Sequence, residues 1–188
     1  PHERLPLVCR LPSVLSCSIL TTGVSSDGTL SKIIVSGATG GVGSVAVSLL
    51  SKLGYTVVAI SGKEKEYEFL YQLGASEIIS RSEFQELDKR PMLSAQFAGG
   101  VDAVGGPILE KMLKSVQPLG AVTTCGSVSS TQLNMTVFPF ILRGISLIGI
   151  SAQNYPMHLR KILWNKMGND FKPLNLLSLY NEISLDEI

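Results

Sequence analysis

One stretch constrains this 188-residue chain more than any other: Ile33-Ile34-Val35-Ser36-Gly37-Ala38-Thr39-Gly40-Gly41-Val42-Gly43-Ser44-Val45-Ala46. A short β-branched run, suited to a strand covered on both faces, passes into a glycine-crowded turn. Helical character follows from Val42 to Leu53. The spacing Ala38-x-Gly40-x-x-Gly43 is the dinucleotide fingerprint G-x-G-x-x-G, with alanine in the first place. The first position takes a small residue for a sharp turn. Gly40 lets backbone approach a pyrophosphate, and Gly43 lets the helix pack closely on the strand. The first amides of the new helix then face the phosphates. Ala38, Thr39, Gly40, Gly41, Val42 and Gly43 are therefore candidate cofactor-binding residues.

The rest of the chain alternates in the same way. Strands are expected over Lys32–Ser36, Tyr55–Ile60, Glu77–Ile79, Val101–Val104, Gly120–Cys125 and Ile145–Ile150. Helices are expected over Val42–Leu53, Lys63–Leu73, Ile108–Val116, Val137–Leu142 and Met157–Met167. Ser82-x-x-Gln85 has the form of a capping box for a further short helix in the polar stretch 81–100. Alternating strands and helices imply parallel strands with right-handed crossovers. Six of them predict an α/β doubly wound parallel sheet, the Rossmann fold, in the order 3-2-1-4-5-6. Residues 1–22, with three prolines and no period, read as an irregular lead-in. Residues 23–170 are expected to form the dinucleotide-binding domain, and 171–188 to begin a C-terminal segment with no complete element of its own.

Composition excludes several classes. A hydrophobic content of 45% against 16% charged fits a buried sheet, and a net charge of +1 gives no electrostatic case for nucleic acid. Apolar runs fall short of the roughly 20 residues that a membrane span needs. Leu11–Leu20 is mildly apolar, but its shortness and Pro12 weigh against a signal peptide. The three cysteines, Cys9, Cys17 and Cys125, are scattered and form neither a disulfide framework nor a metal cluster. A reducing cytosol, hence a cytoplasmic protein, fits this usage.

The end of the second strand selects the cofactor. An NAD site carries an acidic residue there, about 20 positions past the glycines, to hold the ribose hydroxyls. This chain has Ala59-Ile60-Ser61-Gly62-Lys63, with Ser61 eighteen positions after Gly43. A hydroxyl and a cation in place of a carboxylate suit the 2′-phosphate of NADP. Ser61-x-x-Glu64 is also a capping box for the second helix, and the two roles are compatible.

Sequence alone reveals no catalytic constellation. His2 and His158 have no ligand partner at metal-binding spacing, so no metal site is expected. His158 is expected on an exposed helix face. Asp102 ends a buried strand and reads as a structural turn residue. Cys125 ends the fifth strand, where such sheets bind ligands; it reads as a small buried apolar residue rather than a reactive thiol. Gly126 and Ser127 after it, and Ile150 and Ser151 at the end of the sixth strand, are placed to bring backbone near a nicotinamide.

From about residue 23 onward the chain resembles the medium-chain dehydrogenase/reductase superfamily. Within it, the chain is similar to the zinc-free branch of acrylyl-CoA reductases and YhdH-type quinone oxidoreductases. The resemblance rests on Ser36–Gly43, Ser61-Gly62-Lys63, Leu73-Gly74-Ala75 and Val101–Gly106. It also rests on Glu182-Ile183-Ser184-Leu185 and, most specifically, on Val137-Phe138-Pro139-Phe140-Ile141-Leu142-Arg143-Gly144. It implies an NADPH-dependent reductase of an activated carbon–carbon double bond or a quinone, acting on a small-molecule substrate. In such enzymes this cofactor domain is paired with a separate catalytic domain, expected ahead of residue 23, so this chain alone is expected to be inactive. The resemblance implies that Gly40 to Val42 meet the pyrophosphate, Ser61 and Lys63 the 2′-phosphate, and the loop after Cys125 the nicotinamide. It also implies a homodimer paired through the sixth strand, which is apolar and has no Lys or Pro to blunt its edge. The other reading is a non-catalytic NADP-binding module, either a redox sensor or an inactive truncated product.

Overall fold

The computed structural model describes residues 31–86, 88–151, 155–173, 179 and 184. The expectations for residues 1–22 and for most of 171–188 lie outside the described residues.

Six strands form one parallel sheet: β1 (Lys32–Val35), β2 (Thr56–Ser61), β3 (Glu77–Ser80), β4 (Phe97–Asp102), β5 (Val116–Thr124) and β6 (Ser146–Gly149). Their order is β3-β2-β1-β4-β5-β6, as the alternation of the sequence predicts. All five pairings are parallel. The helices are α1 (Gly41–Lys52), α2 (Tyr67–Gln72), α3 (Arg81–Gln85), α4 (Gly106–Lys114), α5 (Phe138–Arg143) and α6 (Met157–Gly168).

Alternation along β1 divides the core in two. Ile33 and Val35 pack with Val47 and Leu50 of α1, Val57 of β2 and Leu70 of α2. Ile34 points to the other face, with Val58, Ile60, Phe84 of α3, and Ile108, Met112 and Leu113 of α4. A strand covered on both sides has no polar face, so β1 and β2 read as continuous apolar runs.

Several boundaries differ from expectation. β4 begins at Phe97 rather than Val101, and it ends at Asp102. Ala98-Gly99-Gly100 carries no apolar signal, yet a Cβ on Gly100 would lie 2.7 Å from Met112 Cε. Glycine in mid-strand here admits a core side chain from α4. β5 begins at Val116, where α4 was expected to end. The cap of α3 is Ser80, whose hydroxyl accepts from the Glu83 amide at 3.2 Å; Ser82 lies inside the helix instead.

Candidate functional site

A parallel sheet in this order binds ligands beyond the carboxyl ends of its strands, at the crevice where the connections leaving the neighbouring strands β1 and β4 run to opposite faces of the sheet. The fold brings nearly every sequence-predicted residue to that rim. Ser36 and the turn Gly37–Gly40 follow β1, Ser61–Lys63 close β2, Cys125–Ser127 follow β5, and Ile150 and Ser151 follow β6. The Ile150 amide donates to the Thr124 carbonyl at 2.9 Å, which sets Ile150 and Ser151 beside the end of β5.

The glycine turn is tight. The Gly40 amide donates to the Gly37 carbonyl at 2.9 Å, and the Ala38 amide donates to Ile60 of β2 at 3.3 Å. Ala38 is fully buried, while Gly41 and Val42 are exposed. Helix α1 starts from Gly40 with no side-chain cap and no acidic residue in its first turn. Leading amides without a side-chain cap are the donors that an anion would meet at this helix start.

At the end of β2, Ser61 is buried and its hydroxyl oxygen accepts from the Lys63 amide at 3.1 Å. The expected Ser61–Glu64 capping box does not form. Glu64–Glu66 is a 3-10 turn starting from Lys63, without a side-chain cap, because the Ser61 oxygen is taken one residue earlier. Lys63 is exposed. Sequence reasoning missed a second cation there, Arg81. Its guanidinium lies over Gly62, with Nε 3.0 Å and Cζ 3.1 Å from where a Gly62 Cβ would stand. Ser61 is paired with Ser80 in the β2–β3 register, so the residue after β3 falls beside the residue after β2. That neighbour relation, read from the strand order, is the signal that finds Arg81.

Asp102 is structural, as its place in the sequence suggests, and is fully buried. Its carboxylate accepts from Ser36 Oγ at 2.6 Å, from the Val104 and Gly105 amides at 3.1 Å each, and from Thr124 Oγ1 at 2.8 Å. Cys125 departs from expectation: it is exposed, because β5 ends one residue before it. Its thiol donates to the Asp102 carbonyl at 3.5 Å. Partial loss of solvation at the sheet end, and secondly the Asp102 charge, push the thiol above its ordinary value. Such a thiol is protonated at neutral pH and is a poor nucleophile. His158 is exposed on α6. Among the described residues, no group of three or more His, Cys, Asp or Glu side chains is placed to hold a metal ion.

A glycine-rich strand–turn–helix at the switch point of a 3-2-1-4-5-6 parallel sheet defines a Rossmann-type dinucleotide-binding domain. Residues 41–167 match the family described as zinc-binding dehydrogenase, and the chain belongs to that family. It falls in the medium-chain dehydrogenase/reductase branch represented by YhfP and AcuI. YhfP of Bacillus subtilis, which bears a quinone oxidoreductase name, is 44% identical over 156 residues, covering 82% of this chain and 47% of YhfP. The crystal structure of yhfP with NAD bound matches with a TM-score of 0.80 at 38% identity, over 91% of this chain and 50% of that one. The acrylyl-CoA reductase AcuI of Ruegeria pomeroyi is 37% identical, over 83% of this chain and 47% of its own length. The yhdH oxidoreductase from Salmonella enterica, solved in complex with NADP, matches with a TM-score of 0.82 at 35% identity, over 94% of this chain and 52% of that one. The chain thus spans about half the length of the relatives it matches.

Proposed function

We propose that this chain is the NADPH-binding half of a zinc-free oxidoreductase. The reaction is hydride transfer to an activated carbon–carbon double bond, such as that of an acrylyl thioester, or to a quinone. The observation that carries the reading is the end of β2. Buried Ser61, exposed Lys63 and the Arg81 guanidinium beside Gly62 gather there, where an NAD site would place a carboxylate. One hydroxyl and two cations are the donor set that a 2′-phosphate monoester requires.

The remaining residues fit the rest of the cofactor. Ala38, Thr39, Gly40, Gly41, Val42 and Gly43 supply a side-chain-free cradle and helix amides for the pyrophosphate. Cys125, Gly126, Ser127, Ile150 and Ser151 flank the nicotinamide half with backbone rather than with reactive side chains. The bound cofactor supplies the hydride; this chain holds it in place, and the substrate is met by the other half of the parent protein. Relatives of the branch are named as reductases of acrylyl-CoA and as quinone oxidoreductases, which supports that substrate class.

The protein is cytoplasmic and pairs as a homodimer through β6. Among the described residues, β6 is the last strand of the sheet and pairs with β5 alone, an edge to which a twin strand can add. No described helix is long and apolar enough to cross a membrane.

The test is oxidation of NADPH by the full-length parent with acrylyl-CoA and with a quinone. Turnover with either supports the reading. A parent that binds NADPH and turns over neither is a binding module instead. The chain by itself should show no turnover.

A further inference from the structure

Asp102 links the two halves of the rim. It accepts hydrogen bonds from three chain segments, and each lies next to a different part of the candidate site. Ser36 Oγ, at 2.6 Å, is the residue immediately before the Gly37–Gly40 turn. Thr124 Oγ1, at 2.8 Å, is the residue immediately before Cys125, Gly126 and Ser127. The Gly105 amide, 3.1 Å from both carboxylate oxygens, opens the β4–α4 turn. That turn holds the loop after β5 in its own right, since the Ser129 amide donates to the Val104 carbonyl at 2.9 Å. Ser36 is itself fixed on its other side, accepting from the Ala103 amide at 3.1 Å.

All of these partners are neutral donors, and the carboxylate is fully buried. A buried charge is strongly destabilising unless its acceptor capacity is filled. An apolar residue ending β4 would hold the sheet together without that cost. What the carboxylate adds is a rigid three-way distance across the crevice.

We propose that Asp102 is a positioning residue that sets the separation between the pyrophosphate turn after β1 and the nicotinamide-side loop after β5. The inference rests on the NADPH reading above. A dinucleotide lies across the crevice with one mononucleotide on each side. A fixed separation therefore pre-organises the site for the whole cofactor but matters little to a ligand that occupies only one side.

Thr124→Val isolates this role, because it keeps the shape of the side chain and removes one donor. Thr124→Ser keeps the donor. Two ligands are titrated into the chain by calorimetry: NADPH, which spans both sides, and 2′,5′-ADP, which occupies the adenosine side. Thr124→Val should weaken NADPH about tenfold, the order of one hydrogen bond to a charged group, and should change 2′,5′-ADP by less than about twofold. Thr124→Ser should restore NADPH affinity. Unchanged NADPH affinity in Thr124→Val overturns the positioning role. So does an equal loss for both ligands that tracks a lowered unfolding midpoint. A wild-type chain that binds neither ligand overturns the NADPH reading itself, a result separate from the variants' behaviour.

Discussion

Gly43 sits directly against Gly37: a Cβ on Gly43 would lie 2.2 Å from the Gly37 carbonyl oxygen and 2.7 Å from Ala38 Cα. Both contacts are to backbone, so no side chain can swing away to relieve them. Gly43→Ala must push α1 off the end of β1. The expected cost is about 1–3 kcal/mol of stability, the usual range for forced overpacking. Because the same shift opens the turn, dinucleotide binding should be lost with it. Denaturant unfolding and cofactor titration on the same variant check both.

Cys125 should be slow to alkylate. Its raised thiol pKa favours the neutral form, so at any given pH its thiolate fraction is below that of a free cysteine. Its iodoacetamide reactivity should rise only above the ordinary thiol value of about 8.5. Peptide-resolved mass spectrometry separates Cys125 from Cys9 and Cys17. Half-maximal reactivity near neutral pH would contradict the assignment. Asp102→Asn removes the secondary, coulombic cause and should move the profile down in pH.

Arg143 anchors α5 to the body of the domain. Its guanidinium donates to the carbonyls of Lys114 at 2.9 Å, Val116 at 3.0 Å, and Leu93. Lys114 is the last residue of α4, so the cation also satisfies the carbonyl end of that helix. Arg143→Met keeps much of the stem and removes every donor. It should destabilise the chain by about 1.5–3 kcal/mol, measured by urea unfolding.

The β6 edge gives a prediction about association. The Ile150 amide points into the sheet at Thr124, so the Gly149 amide, one residue earlier in an extended chain, points out. A Cβ on Gly149 meets nothing within 4 Å. Gly149→Pro thus removes an edge donor at a position with room for a Cβ and should convert a wild-type dimer to a monomer by light scattering. Leu147 is a poorer choice for this test, since it packs against the core beneath α4. A wild-type chain that stays monomeric as its concentration is raised would contradict pairing through β6.

The centre of the sheet was legible because β1 and β2 are buried on both faces: Ile33–Val35 and Thr56–Ile60 have no polar alternation to blur them. The strand order followed from alternation and handedness. What escaped the sequence were features set by neighbours distant in the chain. Residues 97–100 carry two glycines, of which Gly100 admits Met112 and Gly99 the Ala121 carbonyl, and that fit exists only in three dimensions. The caps escaped as well: the Ser61 oxygen is taken by the Lys63 amide, and α3 is capped through Ser80-x-x-Glu83, which overlaps the spacing Ser82-x-x-Gln85. Arg81 follows Ser61 by twenty positions and joins it only through the β2–β3 register. The Asp102 network unites residues 36, 102 and 124, a grouping that no local pattern encodes.

The central claim is a site built for a 2′-phosphate, and calorimetric titration of the chain with NADPH and NADH tests it most directly. NADPH should bind more tightly than NADH. Lys63→Ala and Arg81→Ala should each weaken NADPH by about 1.5–3 kcal/mol, the range for a hydrogen bond to a charged group, and leave NADH nearly unchanged. Equal affinity for the two cofactors in the wild type, or variants that weaken both alike, would contradict the account.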